Sequence, residues 1–284
     1  MEADLTSSTG RTREFAFTDA DFEGLRTLVR AATGINLADS KRELVYGRIA
    51  RRLRALEIDS FKAYRELLAD GDPQELVEFC NAITTNLTSF FRESHHFDHL
   101  RDSVLKPWAE AGPGRRMRIW SAGCSTGEEP YSIAMTIAES VPRWQSRDIR
   151  ILATDIDSQV LAHGRAGLYT AERVAGMGAR RTAACFEEGA DGGRRTFKVR
   201  DELASLIAFK QLNLMHDLPM PGPIDAIFCR NVVIYFDKDT QRQLFARIAR
   251  LQRPGQLLFL GHSETLFRVS DDYTLIGKTI YRRN

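Results

Sequence analysis

The run Arg118, Ile119, Trp120, Ser121, Ala122, Gly123, Cys124, Ser125, Thr126, Gly127, Glu128, Glu129, Pro130 constrains this chain more than any other stretch. An apolar segment, a glycine turn and a helix start in that order read as strand, tight turn and helix, which brings backbone close to a ligand. A phosphate cradle there wants a lysine or an uncluttered helix N-terminus. Glu128 and Glu129 stand in the first helical turn instead, where they repel a pyrophosphate and attract a cationic ligand. Acids at that position also complement a helix dipole without binding anything. Asp155 tips the balance: it follows the apolar run 151–154, at the carboxyl end of the next strand, where a carboxylate accepts hydrogen bonds from both hydroxyls of a ribose. A nucleoside with a cationic tail, S-adenosylmethionine, is the ligand these acids predict. The incomplete glycine pattern and the long spacing from Gly123 to Asp155 disfavour a dehydrogenase.

Upstream, Phe22, Leu25, Leu28, Val29 and Ala32 recur at helical spacing before the stop at Gly34. Val45, Ile49, Leu53 and Leu56 stripe a second helix, capped by Asp39 or Ser40. Residues 61–68 and 75–83 predict two more helices around the turn Asp70, Gly71, Asp72, Pro73. After Thr84, apolar runs at 117–122, 149–154, 206–209 and 224–229 alternate with helical stretches, which predicts a doubly wound parallel sheet. Residues 257–260 and 274–282 are expected to close it with an antiparallel last strand. Gly176, Gly178, Gly189, Gly192 and Gly193 interrupt this rhythm around a short strand at 196–199, as in an inserted β-subdomain. The expected organisation is a disordered tail at 1–14, an N-terminal helical domain at 15–85, a junction and linker at 86–116, and a sheet domain at 117–284 with the insert at about 167–203.

A hydrophobic content of 43% and a charged content of 27% are ordinary for a soluble globular protein, and no apolar run is long enough to cross a bilayer. The polar start lacks a signal-peptide pattern, so a cytoplasmic location without direct membrane insertion is expected. Cys80, Cys124, Cys185 and Cys229 form no CxxC pair. The net charge of +2 is too small to argue for nucleic acid.

Five dispersed segments carry a resemblance: Thr85, Asn86, Leu87, Thr88, Ser89, Phe90, Phe91, Arg92 with His95, His96, Phe97; residues 121–131; Ala153, Thr154, Asp155, Ile156, Asp157; Phe228, Cys229, Arg230, Asn231, Val232, Val233, Ile234, Tyr235, Phe236; and Gly261, His262, Ser263, Glu264. Together they resemble the bacterial chemoreceptor methyltransferase family, CheR, over nearly the whole chain beyond the tail. The resemblance implies an α/β fold: a class I S-adenosylmethionine methyltransferase, with a Rossmann-like doubly wound sheet and antiparallel last strand, a small all-α domain before it and a small β-subdomain insert. It implies that Asn86, Thr88 and Arg92 close over the cofactor, that Glu129 meets its methionine end with Glu128 as the neighbouring alternative, and that Asp155 holds its ribose. Asn213 and Leu214 match residues beside the adenine, and Arg230 with Asn231 the pair after the fourth strand. The implied reaction methylates receptor glutamates to methyl esters and leaves S-adenosylhomocysteine, with Arg92 and Tyr235 as catalytic candidates and no metal.

His95 and His99, at i and i+4, invite a metal reading, but a structural helix is the expected role because no fourth ligand has telling spacing. Lys41, Arg42, Arg48, Arg51, Arg52 and Arg54 make one helix strongly basic. A solvated face is the usual meaning; the resemblance favours docking of Arg48, Arg51 and Arg52 on the acidic coiled coil of a methyl-accepting chemoreceptor's cytoplasmic domain. The insert matches the subdomain by which some relatives grip a receptor's C-terminal pentapeptide, although Glu188, Gly189, Ala190, Asp191, Gly192, Gly193 stands where the family carries a Gly-x-Gly-Pro turn. Nucleic acid is not expected as a partner, since Arg230, Asn231, Val232, Val233 replaces the Asn/Asp-Pro-Pro-aromatic motif of base methyltransferases. A small-molecule or nucleic-acid methyltransferase and a signalling module without turnover are the competing readings.

Overall fold

The computed structural model describes residues 13–284, so the expected tail up to Thr12 lies outside the described residues. Two compact units emerge, one ending at Thr85 and including Tyr235–Asp237, the other made of Asn86–Ile234 and Lys238–Asn284.

In the helical unit, α1 (Asp19–Thr33) starts with a capping box in which Asp21 N–H donates to Thr18 Oγ1 (3.1 Å) and Thr18 N–H to Asp21 Oδ2 (3.0 Å). It stops at Gly34, whose φ of 75° suits a residue without Cβ. The next helices are α2 (Arg42–Leu56), α3 (Phe61–Ala69), capped by Ser60, and α4 (Pro73–Ile83), capped by Asp72 with proline at its start. Their stripes meet in a core of Phe22, Leu25, Val29, Val45, Ile49, Leu53, Phe61 and Phe79. Neither Asp39 nor Ser40 caps α2: a 3₁₀ turn precedes the helix, and Asp39 pairs with Arg26. Arg13 and Glu14, expected in the tail, are ion-paired with Glu43 and Arg54.

The second unit opens with helical backbone through the segment expected as linker: α5 (His95–Leu100), a π-helical turn (Arg101–Leu105) and α6 (Lys106–Glu110). Pro107 has no N–H for the carbonyl four residues back, and the wider turn, in which Lys106 N–H reaches Arg101 O, accommodates it. Then come β1 (Met117–Ala122), α7 (Glu128–Ser140), β2 (Ile149–Asp155) and α8 (Ser158–Ala166). A separate three-stranded antiparallel sheet holds β3 (Leu168–Thr170), β4 (Phe186–Asp191) and β5 (Arg194–Val199), ordered β3-β5-β4. Gly192 (φ 54°) and Gly193 (φ 78°) supply the two left-handed residues that a tight hairpin needs.

The main sheet continues with β6 (Ile207–Gln211), β7 (Ala226–Cys229), β8 (Leu257–Leu260), β9 (Tyr273–Gly277) and β10 (Ile280–Arg283), in the order β6-β2-β1-β7-β8-β10-β9. β6 to β8 run parallel and β10 is antiparallel to both its neighbours. Residues 274–282, read as one strand, therefore form a hairpin turning near Thr279 (φ 54°). Strand order reverses between β1 and β7, so their carboxyl ends, beside that of β2, border the crevice where ligands bind in such sheets.

One buried polar cluster stabilises the helical unit: Tyr64 O–H donates to Glu75 Oε1 at 2.5 Å, and Arg52 grips the same carboxylate through Nε and Nη2. Burial is the main reason the Tyr64 hydroxyl is pushed far above its usual pKa. Glu75→Ala leaves that hydroxyl and the half-buried Arg52 unpaired and is expected to cost about 2 kcal/mol, read by urea unfolding followed by circular dichroism.

Candidate active site

After β1 the chain turns through Gly123 (φ 82°), Ser125 (φ 49°) and Gly127 (φ 98°) before entering α7. A Cβ at Gly123 would lie 2.3 Å from Val232 Cγ2, so both the backbone angle and the close approach require glycine. Asp155 pins this turn: its Oδ2 accepts from Ser125 N–H (2.8 Å) and its Oδ1 from Asp157 N–H (3.0 Å). Burial pushes the Asp155 pKa up to about 6, against the pull of those N–H groups. Its unfolded value is about 3.9, so its contribution to stability is fully present below that pH and is lost as pH rises through about 6. Asp157, as expected of a cap, accepts from Gln159 and Val160 N–H at the start of α8.

Glu129 spans the strand-order reversal. Its Oε1 accepts from Ser121 Oγ on β1 (2.7 Å) and its Oε2 from Arg230 Nη1, just past β7 (3.1 Å). Burial raises its pKa, with Arg230 the strongest opposing influence. Glu128 differs: it is 0% exposed against 9% for Glu129, its Oε2 accepts from Thr126 Oγ1 (2.6 Å) and its Oε1 lies 3.4 Å from Arg173 Nη1. Glu128 is thus the more enclosed of the two acids, held inside the turn by Thr126 and Arg173.

The loop 86–92 lies over the same turn. Asn86 Nδ2 donates to Asp157 Oδ2 (2.8 Å), and Asn86 O accepts from Ser125 Oγ (3.1 Å). Thr88 O accepts from Arg173 Nη1 (2.9 Å), and Arg92 Nη1 donates back to Leu87 O (2.9 Å). Beyond β6, Asn213 Oδ1 accepts from Met215 N–H (3.0 Å), and buried Leu214 gives its carbonyl to Arg247. Asn231, left-handed at φ 59°, crosses Gly261 so closely that a Cβ there would lie 2.4 Å from Asn231 Nδ2.

Other expected residues have partners of their own. Tyr235 belongs to the helical unit, where its carbonyl accepts from Asn36 N–H (2.8 Å). Arg48 donates to the carbonyls of Ala82, Ile83 and Thr84 at the end of α4, and Arg52 is bound to Glu75, so two of the three expected docking arginines are engaged in their own unit; Arg51 is exposed. His95 and His96 both turn Nε2 to Lys278 O. Among the described residues Glu93, His95 and His96 bring one ligand atom each within 4.8 Å of one another, but Arg230 Nη2, 3.5 Å from Glu93, opposes a cation there.

Sequence reasoning missed three contributors. Arg173, outside every motif, reaches the loop 86–92 and Glu128 from the insert. Glu93 carried no expectation although it adjoins Arg92. Glu264 had a motif but no role: buried, it accepts from the N–H groups of Asn231 (2.8 Å), Val233 (2.9 Å), Ile234 (3.3 Å) and Gly261 (2.6 Å). Burial raises its pKa against those N–H groups. Glu264→Ala orphans several buried donors, and a loss of about 3 kcal/mol or more is expected. Thermal unfolding measures it, and a loss below about 1 kcal/mol would remove Glu264 as the organiser of this loop.

Residues 86–282 match the family model described as CheR methyltransferase, SAM binding domain, and residues 20–84 the one described as CheR methyltransferase, all-alpha domain. Chemotaxis protein methyltransferase 2 of Pseudomonas aeruginosa is 44% identical over 270 residues, covering 95% of this chain and 95% of that protein. The chemotaxis protein methyltransferases of Salmonella typhimurium and Escherichia coli are 41% and 42% identical, each over 276 residues, covering 95% of this chain and 92% and 93% of theirs. The chain belongs to the CheR family of chemotaxis protein methyltransferases.

Proposed function

We propose that this chain methylates glutamate side chains in the cytoplasmic domain of a chemoreceptor, using S-adenosylmethionine and leaving glutamate methyl esters and S-adenosylhomocysteine. The observation that carries the reading is the pair of acids, Glu129 in the first turn of α7 and Asp155 at the end of β2, beyond the carboxyl ends of the adjacent strands β1 and β2 and beside a glycine turn that bears no cationic side chain. S-adenosylmethionine, when bound, supplies a methyl carbon on a sulfonium, which an acceptor carboxylate oxygen takes as the carbon–sulfur bond breaks.

Asp155 is suited to the ribose hydroxyls: its carboxylate accepts backbone N–H groups of Ser125 and Asp157, and an ionised carboxylate has about four acceptor sites. Glu129 faces the ammonium, Asn213 and Leu214 line the adenine side, Asn231 shapes the floor, and Asn86 with Thr88 covers the cofactor. An acceptor glutamate of ordinary pKa, about 4.3, is already ionised at neutral pH, so no general base is needed. Holding it in line and excluding water are then the chain's contribution. Arg92 suits that work, its guanidinium being tethered by one hydrogen bond to Leu87 O. Tyr235 enters as a catalytic candidate from the resemblance alone. Exposed Arg51 remains for docking an acidic receptor helix, and edge strand β4, polar and exposed, offers backbone for addition of a receptor's C-terminal pentapeptide.

Methyl label transferred to receptor-containing membranes is expected to leave as volatile methanol on alkali treatment; alkali-stable label would point to an N-linked or ether-linked product and overturn the reading. Because Asp155 must be ionised to accept both hydroxyls, affinity for S-adenosylhomocysteine is expected to fall as pH drops through about 6. Asp155→Asn is expected to weaken binding at pH 7.5 by about tenfold, or about 1.4 kcal/mol, and to flatten that dependence in calorimetric titrations.

A further inference from the structure

The loop before α5 reverses at Arg92 between two left-handed residues, Phe91 (φ 53°) and Glu93 (φ 56°). Residues other than glycine hold that conformation only where their surroundings impose it. Phe91 is held by its N–H on Ser132 Oγ (2.9 Å), by the Phe97 ring and by the Arg181 guanidinium 4.0 Å from its own ring. Glu93 is held by charge. Its Oε1 accepts from His262 N–H (3.3 Å) and faces His262 Nδ1 (3.2 Å), while its Oε2 lies 3.5 Å from Arg230 Nη2 and 3.6 Å from His96 Nδ1.

Arg230 is the shared partner. With its side chain 2% exposed, it gives Nη1 to Glu129 and Nη2 to the backbone carbonyl of Arg92, with Glu93 on the same side. One cation therefore sits between two carboxylates, which leaves one net negative charge for a cationic ligand at Glu129. His96 does not cancel it: burial and then Arg230 depress its pKa to about 3, so the ring is neutral. Were Glu93 neutral, Arg230 alone would balance Glu129, and the attraction for an ammonium would be lost.

We propose that Glu93 is a positioning residue for methyl transfer: it draws Arg230 partly off Glu129, keeping that carboxylate available to the cofactor's ammonium, and it fixes the turn that aims Arg92. This rests on the reading that Glu129 meets the cofactor and Arg92 the acceptor. The test uses the full chain, S-adenosylhomocysteine in calorimetry and receptor-containing membranes in turnover assays. Glu93→Gln, folded by circular dichroism, is expected to lose about tenfold in affinity for S-adenosylhomocysteine and about tenfold in kcat at saturating cofactor. Glu93→Asp keeps the charge on a shorter arm, so affinity is expected to stay within about threefold of the parent chain while kcat still falls. A folded Glu93→Gln with parental affinity and kcat overturns the proposal. If Glu93→Gln does not fold, Glu93→Asp decides: equal losses in affinity and kcat, or no loss in either, overturn it. Failure of the parent chain to bind S-adenosylhomocysteine would refute the proposed function instead.

Discussion

A buried guanidinium has to be paired, and the second unit is arranged around that requirement at Arg230. Removing a full charge from water is costly unless hydrogen-bonded partners replace the water. The partners come from distant parts of the chain: Glu129 lies 101 residues away and the Arg92 carbonyl 138. Satisfying one cation thus brings the end of β7, the start of α7 and the loop before α5 to one point. Glu264 works in the opposite sense nearby, as a buried anion that collects backbone donors from the end of β8 and from the stretch after β7. Between them, the two charges hold Asn231 in a left-handed conformation that an asparagine tolerates better than most residues.

How far the sequence could be read follows from which of its signals are local. The strand β1 matched its predicted bounds because both faces of a central parallel strand are covered, which leaves an unbroken apolar run. β4 was missed because it lies at an edge and turns Glu187, Glu188, Gly189, Ala190 and Asp191 to solvent, so no alternation marks it. Glu129 and Asp155 stand out in the sequence because a glycine turn and a strand end announce them. Glu93 was not, since its partners Arg230 and His262 come from far along the chain.

The basic face of α2 shows the same limit for charge. Arg48, Arg51 and Arg52 look alike in sequence, spaced as one patch. In the fold, Arg48 supplies donors to the carbonyl end of α4, Arg52 neutralises a buried carboxylate, and only Arg51 of the three lies open to water. An arginine stripe therefore mixes internal hydrogen bonding with surface electrostatics, and spacing alone cannot divide them.

The placement of β1 in the middle of the sheet also orders events in time. Its neighbours are β2, about thirty residues on, and β7, more than a hundred residues on. The helices of the first unit, by contrast, find most of their partners within a few tens of residues. Contacts closing short loops form early and those closing long loops late. The helical unit is thus free to assemble while the crevice between β1 and β7 is still missing one wall. A ligand that fits only the finished crevice stabilises the completed sheet and gives no help to the steps that build it.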